Sequence, residues 1–380
     1  MKLEVENLVV DQPEVVVKAA ERKSRKGIRI WLLIGVIMLV GQVVIGGITR
    51  LTESGLSITE WEPLSGALPP MNEADWTIEF DKYKASPQYE KVFADISMAD
   101  FKFIYFWEWF HRQWARIMGL VFAIGFTYFA WKKQFTKRDY RWLGLIVGLA
   151  GLAATFGWIM VASGLIDRPW VDAYKLTMHL SIALSAFSAL LWYTYKNWFP
   201  KPERFPQFRL KTPLFVLTAV AIIQIVLGGI MSGARAALVF PQWPDMAGRF
   251  FPATLADGSN WTVENLVEYD QSPFLPALVQ FSHRMTAYLL VIITLWFVWR
   301  VFKSPVSQAF RRANYLLITV LITQVLLGIF TLLNAQGEVP VGLGVGHQAG
   351  AVALLAVVLY LNYLSKPGNP LVSVDKAVHN

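Results

Sequence analysis

The sequence predicts an all-α polytopic membrane protein whose eight transmembrane helices form two four-helix bundles, related to each other as a parallel repeat. The composition favours a lipid environment, since 55% of the 380 residues are hydrophobic and only 16% are charged. Apolar runs of about 20 residues, the length that crosses a bilayer, recur along the chain. These runs, numbered spans 1 to 8, lie near residues 30–50, 103–131, 141–163, 173–195, 212–235, 276–300, 312–334 and 342–364.

The loops between the spans differ in charge, and this difference predicts the orientation. Lysine and arginine cluster in the N-terminal tail and after spans 2, 4 and 6, whereas the loops after spans 1 and 5 are acidic or mixed. By the positive-inside rule, both termini lie in the cytoplasm. The net charge of +8 is therefore a topology signal, and we expect no nucleic-acid partner.

The N-terminal segment and the cysteine count bear on the compartment. Residues 1–29 lack the pattern of a secretory signal peptide, and they carry acidic as well as basic residues, unlike a mitochondrial presequence. The chain has no cysteine, so it can form neither a disulfide nor a thiolate metal site. A bacterial inner membrane is the simplest expected location.

Motifs of the first four spans recur in the last four. The matching motifs are Gln42-Val-Val-Ile-Gly46-Gly47 in span 1 and Gln224-Ile-Val-Leu-Gly228-Gly229 in span 5, His111-Arg112 in span 2 and His283-Arg284 in span 6, and His179 in span 4 and His347 in span 8. Four spans, an even number, separate the copies. The copies therefore run parallel, related by an axis along the membrane normal.

The repeat predicts the organisation of the chain. Two bundles are expected, each flanked by cytoplasmic segments, and the first bundle carries a large outer loop over 51–102. The predicted parts are a cytoplasmic tail over 1–29, the N-terminal bundle over 30–195, a cytoplasmic linker over 196–211, the C-terminal bundle over 212–364 and a second cytoplasmic tail over 365–380.

Four of the five histidines lie near the periplasmic ends of four different spans, and they form two pairs, one in each half. A histidine inside a membrane is costly unless it contacts a partner or a metal. Two histidines on facing helices of a bundle can ligate a haem iron from both sides, and Gly46-Gly47 and Gly228-Gly229 leave room for a flat porphyrin. The pairs are His111 with His179 and His283 with His347.

Other interpretations of these residues stay open. The four histidines could hydrogen-bond separately within the bundles, and the glycines could serve close helix packing in lipid. Zinc fits less well, because it takes four ligands, or three and an open position. His379 lies in a polar tail and is treated as incidental.

The two pockets differ in one position. Glu108 stands three residues before His111, and Gln280 stands three residues before His283. Residues at i and i+3 share a helix face, so each side chain is expected to point toward its own pocket. A carboxyl group can move protons and an amide cannot. The N-terminal pocket is therefore predicted to perform chemistry and the C-terminal pocket to carry electrons, unless Glu108 only pairs with Arg112.

Three arginines at the outer ends of the spans have two interpretations. Arg112 and Arg284 directly follow the histidines, and Arg50 ends span 1. Guanidinium groups bind carboxylates such as haem propionates in bidentate fashion. They also anchor helices at the lipid interface, and the sequence does not decide between the two.

On these residues the chain resembles haem A synthase. The resemblance covers about residues 28–365. The motifs that carry it are Gly46-Gly47-Ile-Thr49-Arg50-Leu-Thr52-Glu53-Ser54-Gly55-Leu56-Ser57, followed by Trp61, Pro63, Gly66, Pro69 and Pro70; Glu108-Trp-Phe-His111-Arg112; Gly157-Trp158-Ile-Met160-Val161-Ala-Ser163-Gly164-Leu165; Tyr174-Lys-Leu176 with His179-Leu180; Val279-Gln280-Phe281-Ser-His283-Arg284; and His347-Gln348.

The resemblance implies a reaction and a set of ligands. Haem O is oxidised at its C8 methyl group to a formyl group, giving haem A for terminal oxidases, through two hydroxylations with oxygen from water and loss of water from a geminal diol. Electrons leave through haem b, whose ligands are His283 and His347. The pocket with His111 and His179 receives haem O, and Glu108 matches the family's catalytic glutamate.

The resemblance also has departures and open ends. The family's third helix usually carries a glutamine where this chain has Ala153, and some relatives have cysteine pairs in the outer loops. Haem O synthase is a candidate partner that delivers haem O. The electron acceptor is not identified, and a homo-oligomer stays open.

Two other functions were weighed against a haem-modifying enzyme. A dihaem cytochrome b that carries electrons from quinol would not need an acid in one pocket and an amide in the other. It would also place its haems at opposite faces of the membrane, whereas all four histidines lie near one face. A transporter would need charged residues near the middle of the spans, and almost none occur there.

Overall fold

Eight long helices dominate the protein in a computed structural model, which describes residues 25–60, 65–166, 168–199 and 208–365. All eight are long and apolar enough to cross a membrane. The helices are α1 (Lys26–Leu51), α2 (Met98–Trp131), α3 (Lys137–Gly164), α4 (Ala173–Trp198), α5 (Phe208–Gly233), α6 (Phe274–Phe302), α7 (Gln308–Leu333) and α8 (Val341–Leu364).

The predicted all-α fold with eight spans is confirmed, since the described residues hold no strand beyond one isolated bridge between Met246 and Arg249. The predicted tails over 1–29 and 365–380 and the linker over 196–211 lie largely outside the described residues. Trp61, Pro63 and His379 lie outside them too.

Several helices begin earlier than the apolar runs predict, because polar caps start them. The Ser97 side chain accepts a hydrogen bond from the Asp100 amide at the start of α2. Thr136 and Asp139 form a reciprocal capping box at the start of α3. Such caps satisfy amides that have no partner inside the helix, so a helix extends through its polar first turn.

Helix contacts follow the order of the chain and converge on four central helices. Each odd-numbered helix packs on the next one, which gives the pairs α1–α2, α3–α4, α5–α6 and α7–α8. Helices α1, α4, α5 and α8 also contact one another across the middle of the molecule. The two halves therefore share a central layer, and their division into two separate bundles stays a prediction.

An aromatic cluster packs the end of the first half at which α1 begins and α2 ends. The Trp31 ring of α1 lies between Phe122, Phe129 and Phe135 at centroid distances of 5.3 to 6.2 Å. Its indole N–H donates to the Val121 carbonyl at 3.2 Å. The indole lies directly against Gly125, where a Cβ would collide with it.

The segments that follow α1 and α5 meet at matching positions of the repeat. Glu53 and Arg235 each stand seven residues beyond the first glycine of their repeated Gly-Gly motif. Both have a positive φ, of 54° and 53°, a conformation that is uncommon outside glycine. The Arg235 guanidinium pairs with the Glu53 carboxylate at 2.9 Å. Arg50 pairs with the same carboxylate at 3.4 Å and donates to the Ser232 carbonyl at 2.9 Å.

The orientation can be tested with single thiols, because the chain has no cysteine of its own. Gly258→Cys places a thiol in the exposed loop between α5 and α6, and Lys303→Cys places one between α6 and α7. If the positive-inside assignment holds, a membrane-impermeant maleimide will label Gly258→Cys in intact cells and Lys303→Cys only after lysis. Both variants should label in detergent, which controls for access, and the reverse pattern in cells would invert the assignment.

Candidate functional site

The second pair of histidines has the separation that one metal ion requires. His283 on α6 and His347 on α8 have ring centroids 6.4 Å apart with an angle of 74° between the rings. With a metal–nitrogen distance of about 2 Å, two imidazoles on opposite sides of one ion have centroids about 6 Å apart. The pair therefore fits axial ligation of a haem iron, and the perpendicular rings do not hinder it.

The second histidine of each pair is oriented by a backbone carbonyl. The Nδ1 atom of His179 lies 2.8 Å from the Ala153 carbonyl oxygen, and Nδ1 of His347 lies 3.1 Å from the Gln324 carbonyl oxygen. A carbonyl oxygen only accepts, so Nδ1 carries the proton in both rings. The lone pair is then on Nε2, which is the arrangement of a metal-binding histidine fixed by its second nitrogen.

The first histidine of each pair contacts a glutamine. The Gln42 amide nitrogen lies 3.3 Å from both ring nitrogens of His111, and the Gln224 amide nitrogen lies 3.0 Å from Nε2 of His283. The Nδ1 atom of His283 and the amide oxygens of both glutamines are buried with no hydrogen-bond partner in the described part of the chain. Unpaired polar atoms this close to a histidine pair are expected of a ligand pocket.

A glycine on the preceding helix clears room for each of the four rings. A Cβ added to Gly46 would lie 2.9 Å from Cε1 of His111, and one on Gly228 would lie 3.2 Å from Cε1 of His283. The same contact joins Gly157 to His179 at 3.1 Å and Gly328 to His347 at 2.7 Å. The Gly-Gly motifs do not predict this role for Gly157 and Gly328. One signal was present, since Gln324 stands four residues before Gly328, the spacing found in Gln42–Gly46 and Gln224–Gly228.

The second glycine of each Gly-Gly motif packs against another helix. A Cβ on Gly47 would lie 2.7 Å from the side-chain oxygen of Gln348 on α8. A Cβ on Gly229 would lie 3.1 Å from the Thr177 side chain on α4. Each motif thus combines the two roles that the sequence left open, with ring clearance at its first glycine and close helix packing at its second.

Glu108 is buried beneath the first outer loop. It is 3% exposed, and its Oε2 accepts hydrogen bonds from the Ser57 hydroxyl at 2.8 Å and the Ile58 amide at 2.7 Å. Its Oε1 pairs with Arg112, which also donates to the Ile58 and Glu60 carbonyls. The i to i+4 ion pair expected as an alternative is thus present, and it fastens the loop to α2.

The matching residues of the second half fasten the second outer loop. Gln280 is fully buried and donates to the Phe240 carbonyl at 2.7 Å. Arg284 donates to the carbonyls of Gln242, Pro244 and Asp245. Since Arg284, Arg112 and Arg50 all have protein partners, their binding of propionates stays a prediction.

The surroundings of Glu108 include a buried tyrosine and an outer cavity. Burial, together with the nearby carboxylates of Glu108 and Glu53, raises the pKa of the Tyr83 hydroxyl, which donates to Gln88 at 3.1 Å. Arg112 lies in the wall of a cavity of about 250 Å³ at the outer end of α2. Glu60, Asp75, Glu79 and Arg116 also line this cavity.

Fold and site together define a polytopic membrane protein with two histidine pairs, and the residue one helical turn before the first histidine is an acid in one pair and an amide in the other. Among the described residues no group of three or more histidine, aspartate or glutamate side chains is placed to hold a metal ion. Residues 29–359 match the family model for cytochrome oxidase assembly protein (COX15-CtaA). The chain belongs to this family.

Curated relatives support the same assignment, and the predicted resemblance is confirmed. A heme A synthase of Cereibacter sphaeroides is 40% identical over 351 residues, which cover 90% of this chain and 88% of the relative. A heme A synthase of Bradyrhizobium is 40% identical over 330 residues, covering 86% and 88%. The heme A synthase of Flavobacterium johnsoniae is 37% identical over 349 residues, covering 91% and 100%.

The role of Arg112 in fastening the loop can be tested through stability. Arg112→Ala leaves the carboxylate of Glu108 buried without its charged partner, which should lower the free energy of unfolding by about 3 kcal/mol. Denaturant titration of the purified protein, followed by tryptophan fluorescence, measures the change. Lys84→Ala removes an exposed ion pair with Asp81 and should cost under about 1 kcal/mol. Equal stability of the two variants would show that Arg112 does not hold the loop.

Proposed function

We propose that the protein is a haem A synthase, which oxidises the C8 methyl group of haem O to a formyl group. The observation that carries the proposal is the 40% identity to heme A synthases along nine-tenths of the chain. Two histidine pairs with an acid near one and an amide near the other are consistent with one reacting and one electron-carrying pocket.

The two pairs are assigned different occupants. His283 and His347 are proposed to hold a resident haem b, since their ring separation fits one iron between them. Haem b supplies one-electron redox chemistry when bound. His111 and His179 are proposed to hold the substrate haem O. Gly46 and Gly157 leave space beside these two rings.

Protons must leave the substrate pocket during the reaction. Turning a methyl group into a formyl group with oxygen from water releases protons and electrons in equal number. Glu108 is proposed as the group that accepts protons, and its contacts with Arg112 and the Ser57 hydroxyl hold the carboxylate in place. The outer cavity at Arg112 would offer these protons a way to the outer surface, and His283 and His347 would hold the haem b that supplies one-electron redox chemistry for the released electrons.

The proposed location is the bacterial inner membrane, with both termini in the cytoplasm and both pockets near the periplasmic face. The asymmetric distribution of lysine and arginine supports this orientation. Haem O is then expected to enter from the lipid or from haem O synthase, and the product haem A would be supplied to cytochrome oxidase.

A dihaem electron carrier is the second candidate. The observation that favours it is the likeness of the two pairs, each with one glutamine-bound ring and one carbonyl-bound ring. The carrier would bind a resident haem in both pockets and convert no haem O.

Histidine variants separate these assignments. His283→Ala and His347→Ala should lose the low-spin b-type spectrum of the purified protein, because each removes an axial ligand. His111→Ala should keep that spectrum. The measurement is the reduced-minus-oxidised visible spectrum together with haem content per chain. Loss of haem b from His111→Ala, with retention in His283→Ala, would reverse the assignment of the pockets.

Replacement of Glu108 tests the chemistry. Glu108→Gln keeps the size and a hydrogen-bond acceptor but cannot take up a proton, so it should retain haem b and produce little or no haem A. The measurement is chromatography of haems extracted from cells supplied with haem O. Glu264→Gln, which changes an exposed carboxylate in the loop between α5 and α6, is the control and should keep most of the haem A. Normal haem A from Glu108→Gln would remove the carboxylate from the mechanism.

A further inference from the structure

Two polar side chains in the second half are buried without a partner. Thr294 on α6 is 1% exposed and Asn314 on α7 is 0% exposed. The Thr294 hydroxyl and both polar atoms of the Asn314 amide make no hydrogen bond within the described ranges. In the interior of a membrane protein, an unpaired polar group of this kind is costly, so a binding partner is expected.

Thr294 and Asn314 lie at the same level of two adjacent helices. The rings of Phe297 on α6 and Phe310 on α7 are 6.3 Å apart, which sets the register of this antiparallel pair. Thr294 precedes Phe297 by three residues and Asn314 follows Phe310 by four, so both stand about one turn further outward. Their side chains therefore approach the same part of the interface between α6 and α7.

This level lies beneath the second histidine pair. Thr294 follows His283 by eleven residues, which is about three helical turns and returns to the same helix face. Leu290, Leu317 and Leu321 are buried in the same core cluster as the two phenylalanines. The two polar residues thus interrupt an otherwise apolar core on the inner side of the pocket proposed for haem b.

The first half has no polar residues at the matching positions. The repeat offset between His111 and His283 places Phe122 of α2 at the position of Thr294. The repeat offset between Gly157 and Gly328 places Leu143 of α3 at the position of Asn314. Leu143 is 1% exposed and packs with Phe122 in the cluster around Trp31. The same scaffold can therefore fill this level with apolar side chains, and the polar pair is particular to the second half.

We propose that Thr294 and Asn314 form an internal water-binding site between α6 and α7. The amide supplies a donor and an acceptor and the hydroxyl supplies one more group, which matches the two to four hydrogen bonds, about three on average, of a buried water. Water at this level would give the core between α6 and α7 a polar, exchangeable group that the matching level of the first half lacks. The site stands on the burial and the missing partners, and it does not depend on the reaction that the protein performs.

Radiolytic footprinting tests the site directly. Brief X-ray exposure of the full-length protein in lipid nanodiscs turns internal water into hydroxyl radicals, which oxidise the side chains beside it. We expect oxidation of Phe297, Phe310 or Leu317, read by mass spectrometry, to exceed that of Leu143 several-fold. In a Thr294→Val, Asn314→Leu double variant the excess should disappear. No excess in the unaltered chain, or an excess that survives in the double variant, would overturn the proposal.

A stability comparison distinguishes water from a protein partner. Asn314→Leu introduces the residue found at the matching position of the first half, and it should leave the melting temperature unchanged or raise it. Asn362→Leu is the matched control, because Asn362 donates to Thr218 at 2.9 Å and to the Val358 carbonyl, and its loss should lower the melting temperature. A fall for Asn314→Leu as large as that for Asn362→Leu would show that Asn314 bonds directly to protein groups, which excludes the water site.

Discussion

The structure depends on one requirement: each histidine nitrogen inside the apolar helix bundle needs a hydrogen-bond partner or a ligand. A buried imidazole must have a partner at each nitrogen or leave one for a ligand. In His179 and His347, Nδ1 donates to a backbone carbonyl of the preceding helix, which leaves the lone pair on Nε2. The carbonyl can be reached only if the helices come close, and Gly157 and Gly328 permit that approach. The same two glycines therefore allow the helices to pack closely and set the orientation of the two histidine rings.

Much of this was predictable from the sequence, and the rest required contacts between distant segments. The eight spans follow from apolar runs, and the histidine pairs and Gly46 and Gly228 follow from the repeat. The hydrogen-bond partners of Glu108 could not be predicted, because its spacing to His111 shows which helix face it lies on but not which segment covers that face. Ser57 and Ile58 lie some fifty residues earlier in the chain. Their loop covers this face of α2, and both residues donate hydrogen bonds to the Glu108 carboxylate. Periodicity within one helix cannot report the path of a loop.

The carboxylate of Glu108 holds the first outer loop and is also the proposed proton acceptor. It accepts hydrogen bonds from Ser57 and Ile58 and pairs with Arg112. The matching position in the second half holds the loop with a neutral amide, Gln280. A loop of this kind can therefore be held without an acid, and the proposed role in proton transfer gives a reason for the acid at Glu108.

The repeat shows how one scaffold accommodates two different interiors. Gln324 lies beside Gly350, where any larger residue would collide with the amide oxygen. The matching positions in the first half are Ala153 and Ile182, so a small residue on one helix again accompanies a large one on the other. The second half thereby has the amide of Gln324 where the first half has two apolar side chains. If the proposed function holds, one pocket must release a hydrophobic product and the other must retain a redox cofactor, and this difference in polarity is one way in which the same four-helix arrangement could meet both demands.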